Sequence, residues 1–348
     1  MKIFAKNHFY HLKFNNSFIE FYKKLNKSGI IIIDQNIYNI YKNKFISFKK
    51  KIILIKANEK NKTIKTVLKI CKIFLSKKVK RNDLIVAIGG GIIQDLVTFT
   101  NSIYMRGLKW IYFPTTLLAQ ADSCIGGKSS INFLRFKNIL GNFYPPNEII
   151  INTNFLKTLT TDEIRSGIGE IIKVHLLSGR KSVNYLNYAI NKYPEDLKIL
   201  EKMIKNSIIL KNKILKKDAE DKNIRLKMNY GHTFGHALET ATNNKIPHGL
   251  AITIGMDMAN YFSFKKKLIT KKNYFKLKNI INFNLKKNDF KKLNQNIFFN
   301  SLKKDKKNKK NLYGFILPYS FGSVKLFYYK IDDFNNNIIK DYFKKIYL

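Results

Sequence analysis

Residues 84–128 read LIVAIGGGIIQDLVTFTNSIYMRGLKWIYFPTTLLAQADSCIGGK. The run Leu84–Ile88 has the length and β-branched content of a buried strand. Gly89-Gly90-Gly91 follows it directly, and Ile92–Ser102 then shows helical spacing with Asp95 just inside. Glycines let backbone N–H groups approach a phosphate, and a helix start adds partial positive charge. Further on, Gly126-Gly127 runs straight into Lys128. The stretch therefore predicts one loop for a nucleotide pyrophosphate and one for a second anion. The triple glycine is not G-x-G-x-x-G, and a tight turn without a ligand would produce the same letters.

The flanking sequence extends the pattern. Gly29–Asp34, Ile52–Lys56, Trp110–Phe113 and Ile149–Asn152 read as further strands, and Thr63–Leu75 as a helix. Strands alternating with helices predict a mostly parallel sheet in an open α/β domain, over residues 1–153. Ligands of such sheets bind beyond the carboxyl ends of the strands, where Gly89–Gly91 falls. After about Asn154 the strand alternation stops. Asp162–Leu177, Pro194–Lys217, Thr233–Thr242 and Gly249–Lys266 read as helices, the first opening after Thr160-Thr161. Tyr313–Leu317 and Ser323–Tyr329 read as two strands, and Lys303–Lys310 as a flexible loop or an anion-facing segment. Residues 154–348 are thus expected to form a mainly α-helical second domain.

Composition narrows the class. The chain has 348 residues, 45% of them hydrophobic, which suits two globular domains. No stretch approaches the ~20 apolar residues of a membrane helix. The start, MKIFAKNHFYHLKF, is broken by charge, so no secretory signal is expected. Two cysteines, Cys71 and Cys124, predict no disulfide framework and fit a reducing cytoplasm. The formal charge of +42 raises nucleic-acid binding as a rival reading. Yet the chain carries 59 lysines and only six arginines, at 81, 106, 135, 165, 180 and 225. Specific readers of nucleic acid favour arginine. The lysines are scattered, and asparagine, isoleucine, phenylalanine and tyrosine are abundant too. A/T-rich codon bias explains this better than a nucleic-acid partner, and no membrane partner is expected.

Three histidines fall within 17 residues: His232 and His236 in NYGHTFGHALE, and His248 in Pro247-His248-Gly249. His232 and His236 share a helix face. Glu170 sits in GIGEIIK, inside an apolar helical stretch where a carboxylate needs a cation. Two or three nitrogen ligands plus one carboxylate is the pattern of a catalytic Zn²⁺ site. Helix histidines bonded locally are the alternative. Basic residues lie beside these points: Lys173, Arg225 with Asn229, Lys128, and Lys137-Asn138. Arg106 and Arg225 both neighbour glycine-containing motifs.

Together these motifs resemble the 3-dehydroquinate synthase family. They are N-E-x-x-K at Asn58–Lys62, GGGIIQD, YMRG, FPTTLLAQADSCIGGKSSIN, FKNILGNFYPP, SGIGEIIK, NYGHTFGHALE, PHGLAITIGM and K-D-K-K at Lys304–Lys307. The resemblance runs from Glu59 to about Gly322. It implies an α/β Rossmann-like N-terminal domain with NAD⁺ and a mainly α-helical C-terminal domain with Zn²⁺, for which Co²⁺ could substitute. It also implies a homodimer with its active site in the interdomain cleft. The implied metal ligands are Glu170, His232 and His248. NAD⁺ contacts would be Asp34, Glu59, Lys62, Gly89, Gly90, Gly91, Asp95, Thr115, Thr116, Asp122, Lys128, Lys137, Phe155, Thr158 and Leu159. The substrate anions would meet Lys128, Asn138, Lys173, Lys211, Arg225, Asn229, His236 and Lys306 or Lys307. Arg106 would reach the partner subunit's site.

The implied reaction converts 3-deoxy-D-arabino-heptulosonate 7-phosphate to 3-dehydroquinate and phosphate, a step of the shikimate pathway to aromatic amino acids. A hydride is lent to NAD⁺ and returned, phosphate leaves by β-elimination, and an intramolecular aldol step closes the ring. Several positions depart from the family pattern. Asn58 stands for glycine, Gln94 for a small residue, Ser129-Ser130 for Thr-Gly, Asn152 for aspartate and Gly169 for alanine. Leu250 stands for the glutamate usual after His-Gly, where a carboxylate could orient His248. Alternatives in the same superfamily are another sugar-phosphate cyclase or a metal-dependent glycerol-type alcohol dehydrogenase, which would lack the anion clamp.

Overall fold

The structure is a computed structural model and describes residues 1–5, 8–134, 136–193, 196–218, 224–286 and 293–347. Arg135 and Pro194, both invoked above, lie outside these residues. The chain divides into two units. One is Met1–Leu159 with Leu215–Glu220, the other Thr160–Ile214 with Asp221–Leu348.

The first unit is built on a seven-stranded sheet. Its strands are β1 (Lys2–Ala5), β2 (His8–Phe14), β3 (Ile30–Asp34), β4 (Ile52–Ile55), β5 (Ile85–Gly89), β6 (Trp110–Pro114) and β9 (Glu148–Ile151). Their order is β1-β2-β9-β6-β5-β3-β4, with every pairing parallel except β1 on β2. Runs such as Ile30–Ile33 and Ile85–Ile88 are buried throughout, as strands covered on both faces must be. Helices α1 (Phe18–Lys27), α2 (Gln35–Ile40), α3 (Ile64–Ser76) and α4 (Gly91–Ile103) connect them. Thr63 caps α3, accepting from the N–H of Thr66 at 3.4 Å. On one side, Phe21, Phe45, Phe113 and Phe155 join Ile31, Ile33, Val86 and Ile88 in a core.

Five strands from one edge run β4-β3-β5-β6-β9, a doubly wound order that reverses between β3 and β5. Such a reversal opens a crevice at the carboxyl ends of the two strands. Gly89–Gly91 and Asp34 sit at those ends. The first two strands were absent from the sequence reading. Charged residues interrupt them, but Tyr10 and Leu12 alternate with His11 and Lys13, the period of a half-buried strand. A separate hairpin, β7 (Ile131–Phe133) with β8 (Phe136–Leu140), carries Lys137 and Asn138.

The second unit is mainly helical: α5 (Thr161–Leu177), α6 (Arg180–Lys192), α7 (Leu197–Lys217), α8 (His232–Ala241), α9 (His248–Lys265), α10 (Lys271–Asn282), α11 (Gln295–Lys303) and α12 (Asp333–Tyr347). A hairpin of β10 (Leu312–Ser320) and β11 (Ser323–Lys330) completes it. Thr160 and Glu163 form a capping box at the start of α5. Helix α9 is buried from Gly249 to Ser263 and is the axis of this unit. The segment after α11 is a pinned turn rather than a flexible loop. Asn308 donates to the carbonyl of Leu302 and accepts from the N–H of Gly314, and Lys307 pairs with Asp305.

Candidate active site

In the first unit the glycine loop leaves β5 with no room for a Cβ at Gly89 and little at Gly90. A Cβ on Gly89 would lie 2.4 Å from Ile93 Cγ1, and one on Gly90 would lie 3.0 Å from Thr116 Cγ2. The loop is fastened from below. Tyr112 Oη lies 3.1 Å from both the Gly89 and Gly90 carbonyls, and the Thr115 N–H donates to Gly89 at 3.0 Å. Gly90 caps α4 without a side chain, so the first N–H groups of that helix have no side-chain cap. Gln94, one turn into α4, donates to the Ser123 carbonyl at 2.7 Å and accepts from its hydroxyl at 2.9 Å. The π-helical turn Ala119–Ser123, which carries Asp122, is thereby tied to the loop.

Beside the loop lies a polar network. Lys62 is buried, with Nζ 3.2 Å from Asp95 Oδ2, 2.7 Å from Asn138 Oδ1 and 3.9 Å from Glu59 Oε1. The Ser130 N–H donates to Asp95 Oδ1 at 2.9 Å and its hydroxyl to Asn138 Oδ1 at 2.9 Å. Asn132 donates to Glu59 at 2.8 Å and accepts from the Asn138 N–H at 2.9 Å. Because Lys62 can only donate, the Asn138 oxygen must face it. Burial raises the Asp95 carboxyl above its ordinary range, and the Lys62 charge opposes this.

Residues expected to touch the cofactor follow the carboxyl ends of five neighbouring strands. They are Asp34 after β3, Glu59 after β4, Gly89–Gly91 after β5, Thr115 and Thr116 after β6, and Thr158 and Leu159 after β9. Phe155 is placed otherwise. Its ring packs in the core, 6.0 Å from Phe21 and 5.4 Å from Tyr41, and only 1% of the residue is exposed. Lys128 lies with its ammonium 5.8 Å from the Phe143 ring, and Lys137 is exposed. Arg106 is exposed as well, in a turn whose φ is positive at Met105, Arg106 and Gly107.

In the second unit three ligand-type side chains converge. Glu170 comes from the middle of α5, His232 from the first turn of α8 and His248 from the first turn of α9. One ligand atom from each lies within 4.8 Å of the others. Glu170 Oε1 is 3.8 Å from His232 Nε2 and 3.6 Å from His248 Nε2. Metal bonds of about 2.0–2.2 Å in a tetrahedron separate ligand atoms by about 3.4 Å. The other imidazole nitrogens are occupied. His232 Nδ1 lies 3.3 Å from the Tyr230 carbonyl and His248 Nδ1 lies 3.2 Å from Glu239 Oε1. Acceptors at Nδ1 hold the proton there and leave the Nε2 lone pairs facing Glu170. Glu170 is 2% exposed, its Oε1 accepts no protein hydrogen bond, and its Oε2 pairs with Lys173. A buried carboxylate oxygen with no donor, faced by two lone pairs, fits a divalent metal and little else.

Electrostatics favour the neutral ligand form at His232 and oppose it at His248. Burial, then the charge of Lys173, holds the His232 imidazole well below its ordinary range, so it is neutral at physiological pH. Desolvation also acts to lower His248, but the hydrogen bond and charge of Glu239, with the charge of Glu170, raise it above the usual 6.5. Lys173, expected to meet a substrate anion, is instead turned onto Glu170. Lys211 and Arg225 are buried, and Arg225 and Asn229 share the 3-10 turn Ile224–Asn229. His236 is exposed, and its ring centroid lies 5.3 Å from that of His232. Lys307 is paired with Asp305 at 2.7 Å, while Lys306 is exposed.

A family model described as the N-terminal part of 3-dehydroquinate synthase matches residues 52–166, and one for the C-terminal part matches 167–308. The chain belongs to the 3-dehydroquinate synthase family. A 3-dehydroquinate synthase of Clostridium tetani is 36% identical over 306 residues, 86% of this chain and 82% of that one. Among solved structures, a 2-deoxy-scyllo-inosose synthase complexed with carbaglucose-6-phosphate, NAD⁺ and Co²⁺ aligns with a TM-score of 0.84. It is 24% identical, and 99% of each chain is covered. A 2-epi-5-epi-valiolone synthase from Streptomyces hygroscopicus subsp. jinggangensis 5008, with NAD⁺ and Zn²⁺ bound, aligns at 0.82 with 21% identity, covering 99% of this chain and 98% of that one. At these identities the structural likeness establishes the shared fold.

The departures from the family pattern each have a local account. Asn58 caps the 3-10 turn Glu59–Asn61, and Asn152 caps the turn Thr153–Thr158. Gln94 ties the loop to Ser123, and Ser130 holds Asn138. Gly169 lies where α5 crosses α9: a Cβ there would meet the Gly249 carbonyl oxygen at 2.1 Å. Leu250 is buried. The sequence reading gave no role to Glu239, although it closes the quoted motif NYGHTFGHALE; its spacing of seven from His232 was the available signal.

Proposed function

We propose that the protein converts 3-deoxy-D-arabino-heptulosonate 7-phosphate to 3-dehydroquinate and phosphate, as an NAD⁺- and metal-dependent carbon–oxygen lyase. The observation that carries this is the bare Glu170 oxygen faced by two oriented imidazoles, in a chain whose relatives are 3-dehydroquinate synthases. Glu170, His232 and His248 would hold Zn²⁺ or Co²⁺, which supplies Lewis-acid polarisation of a substrate oxygen. The Gly89–Gly91 loop, with Asp95 and Lys62, would hold NAD⁺, which supplies a hydride acceptor that is regenerated each turnover.

The chain's own residues then bind and orient. Lys173 holds Glu170 by one oxygen and leaves the other free for the metal. In the second unit, Lys211, Arg225, Asn229, His236 and a lysine of the pair Lys306-Lys307 would bind the substrate's anionic groups and hold one conformer through successive steps, and in the first unit Lys128 and Asn138 are anion-binding residues by resemblance. Asn138, its oxygen held by Lys62 and Ser130, presents its amide as a donor. An oxygen of the leaving phosphate is the base proposed for the elimination.

The protein acts as a homodimer, with Arg106 entering the partner's site. The exposure of Arg106 and the cost of left-handed backbone at a non-glycine residue support a role outside its own subunit. It works in the cytoplasm, which two free cysteines fit. The test is phosphate release from the heptulosonate phosphate, with and without NAD⁺ and with a chelator. Dependence on both, with no net NADH, is expected. NADH accumulating in step with product would instead indicate a dehydrogenase.

A further inference from the structure

We infer that Glu239 is a positioning residue for the metal centre: its carboxylate fixes the tautomer and ring orientation of His248. The inference rests on the reading of Glu170, His232 and His248 as metal ligands. His248 is the first residue of α9, directly after Pro247, and its ring lies 37% exposed. A neutral imidazole carries one proton, on either nitrogen, and can flip about its Cβ–Cγ bond. Only one of these arrangements puts a lone pair on Nε2 towards Glu170. His232 is fixed by a backbone carbonyl, that of Tyr230. His248 is fixed by a side chain, Glu239 Oε1 at 3.2 Å from Nδ1.

Helix geometry makes this possible. Glu239 follows His232 by seven residues on α8, so two turns place both side chains on one face. That face presents one side chain to the metal position and the other to the back of a second ligand. Two residues after His248, where the resemblance implies a glutamate, this chain has Leu250, which is 3% exposed. The orientation of His248 therefore falls to Glu239 alone among the described carboxylates that reach its Nδ1.

The experiment measures Zn²⁺ dissociation constants of the full-length apo-protein by competition with a chromophoric chelator. Glu239→Ala should bind Zn²⁺ about 10- to 100-fold more weakly, the usual effect of losing such a partner. Glu239→Gln, whose amide oxygen can still accept from Nδ1–H, should recover part of the loss. Long-range ¹⁵N–¹H spectra of the histidine-labelled apo-protein, recorded at alkaline pH where the imidazole is neutral, should show the Nδ1–H tautomer for His248 in the wild type and not in Glu239→Ala. Glu170→Gln is the control for the metal reading and should lose affinity further. If Glu170→Gln weakens Zn²⁺ while Glu239→Ala matches the wild type in affinity and tautomer, the positioning role is wrong and the metal site stands. If Glu170→Gln binds as the wild type does, the metal reading falls and takes this inference with it.

Discussion

Gly249→Ala should dismantle the metal centre without touching a ligand. Helices α5 and α9 cross at Ser166 and Gly169 on one side and Gly249 and Thr253 on the other. A Cβ on Gly249 would lie 1.7 Å from the Ser166 carbonyl oxygen, where real Cβ atoms stay at least 3.0 Å away. The helices must therefore part by about 1.3 Å, or their backbones must bend by as much. Glu170 and His248 are the next residues along, so the gap opens at the ligands. Their 3.6 Å separation would grow to about 4.9 Å, well beyond the ~3.4 Å edge of a tetrahedral site. The hydrogen bond from the Gly249 N–H to Ser166 Oγ, 3.0 Å long, would go too. Overpacking of this kind costs about 1–3 kcal/mol, and in a unit of this size that lowers Tm by roughly 2–12 °C. The assay is zinc per chain after dialysis, with thermal melts of apo and loaded protein. Expected are a folded apo-protein with a reduced Tm, substoichiometric zinc and no turnover. A variant that keeps one zinc per chain at wild-type affinity would show that the crossing does not set the ligand spacing.

Three further outcomes are expected. Arg225→Lys keeps the charge of a buried arginine but loses its planar fork, so kcat/KM should fall roughly ten- to hundred-fold; an unchanged kcat/KM would remove it from the clamp. Lys62→Met strips the shared partner from Asp95 and Asn138, and should cost about 3–5 kcal/mol of stability and raise the NAD⁺ dissociation constant, read by calorimetry. Wild-type NAD⁺ affinity there would separate the network from the cofactor. Asp257 on α9 is buried and accepts from Tyr342 at 2.9 Å, and burial raises its carboxyl above the ordinary 3.8 against the charge of Lys278. The folded state thus binds this proton more tightly than the unfolded one, and stability is lost as pH rises from about 3.8 through the folded value. Asp257→Asn mimics the neutral form, so its denaturant midpoint should exceed the wild type's by more at pH 8 than at pH 4; equal differences would refute the assignment.

What the sequence disclosed and what it hid follow from range. The strand–glycine–helix unit at 84–103 is local, and its chemistry was readable: a buried run, a loop without Cβ atoms, a helix start. The alternation that predicts a parallel sheet is local too, which is why β3 to β6 and β9 fell within a residue or two of their expected bounds. Strands β1 and β2 were hidden because their pattern is half polar and because β2 joins the sheet through β9, more than a hundred residues away. Glu170, His232 and His248 come together from three helices, yet their residue types nominate them before any geometry. Glu239 carries only its spacing of seven from His232 as a flag, and Ser130 carries none. Their significance lies wholly in what they touch, the far nitrogen of a histidine and the oxygen of an asparagine. The α5–α9 crossing is similar, since a glycine in a helix reads as a weakness until the second helix is in place.

Composition decided which residues could speak. With 65 basic and 23 acidic side chains, a lysine in this chain conveys little, because almost any position accepts one. An acid that composition disfavours, kept in a buried place, conveys more. Glu170 is held by Lys173 and faces two imidazoles, Asp95 is held by Lys62 and Ser130, Asp305 is held by Lys307, and Glu239 backs His248. For Glu170 and Asp95, burial carries a desolvation cost that a partner or ligand must offset. In a lysine-rich chain, then, the lysines that convey most are those that answer a carboxylate, as Lys173 answers Glu170 and Lys62 answers Asp95.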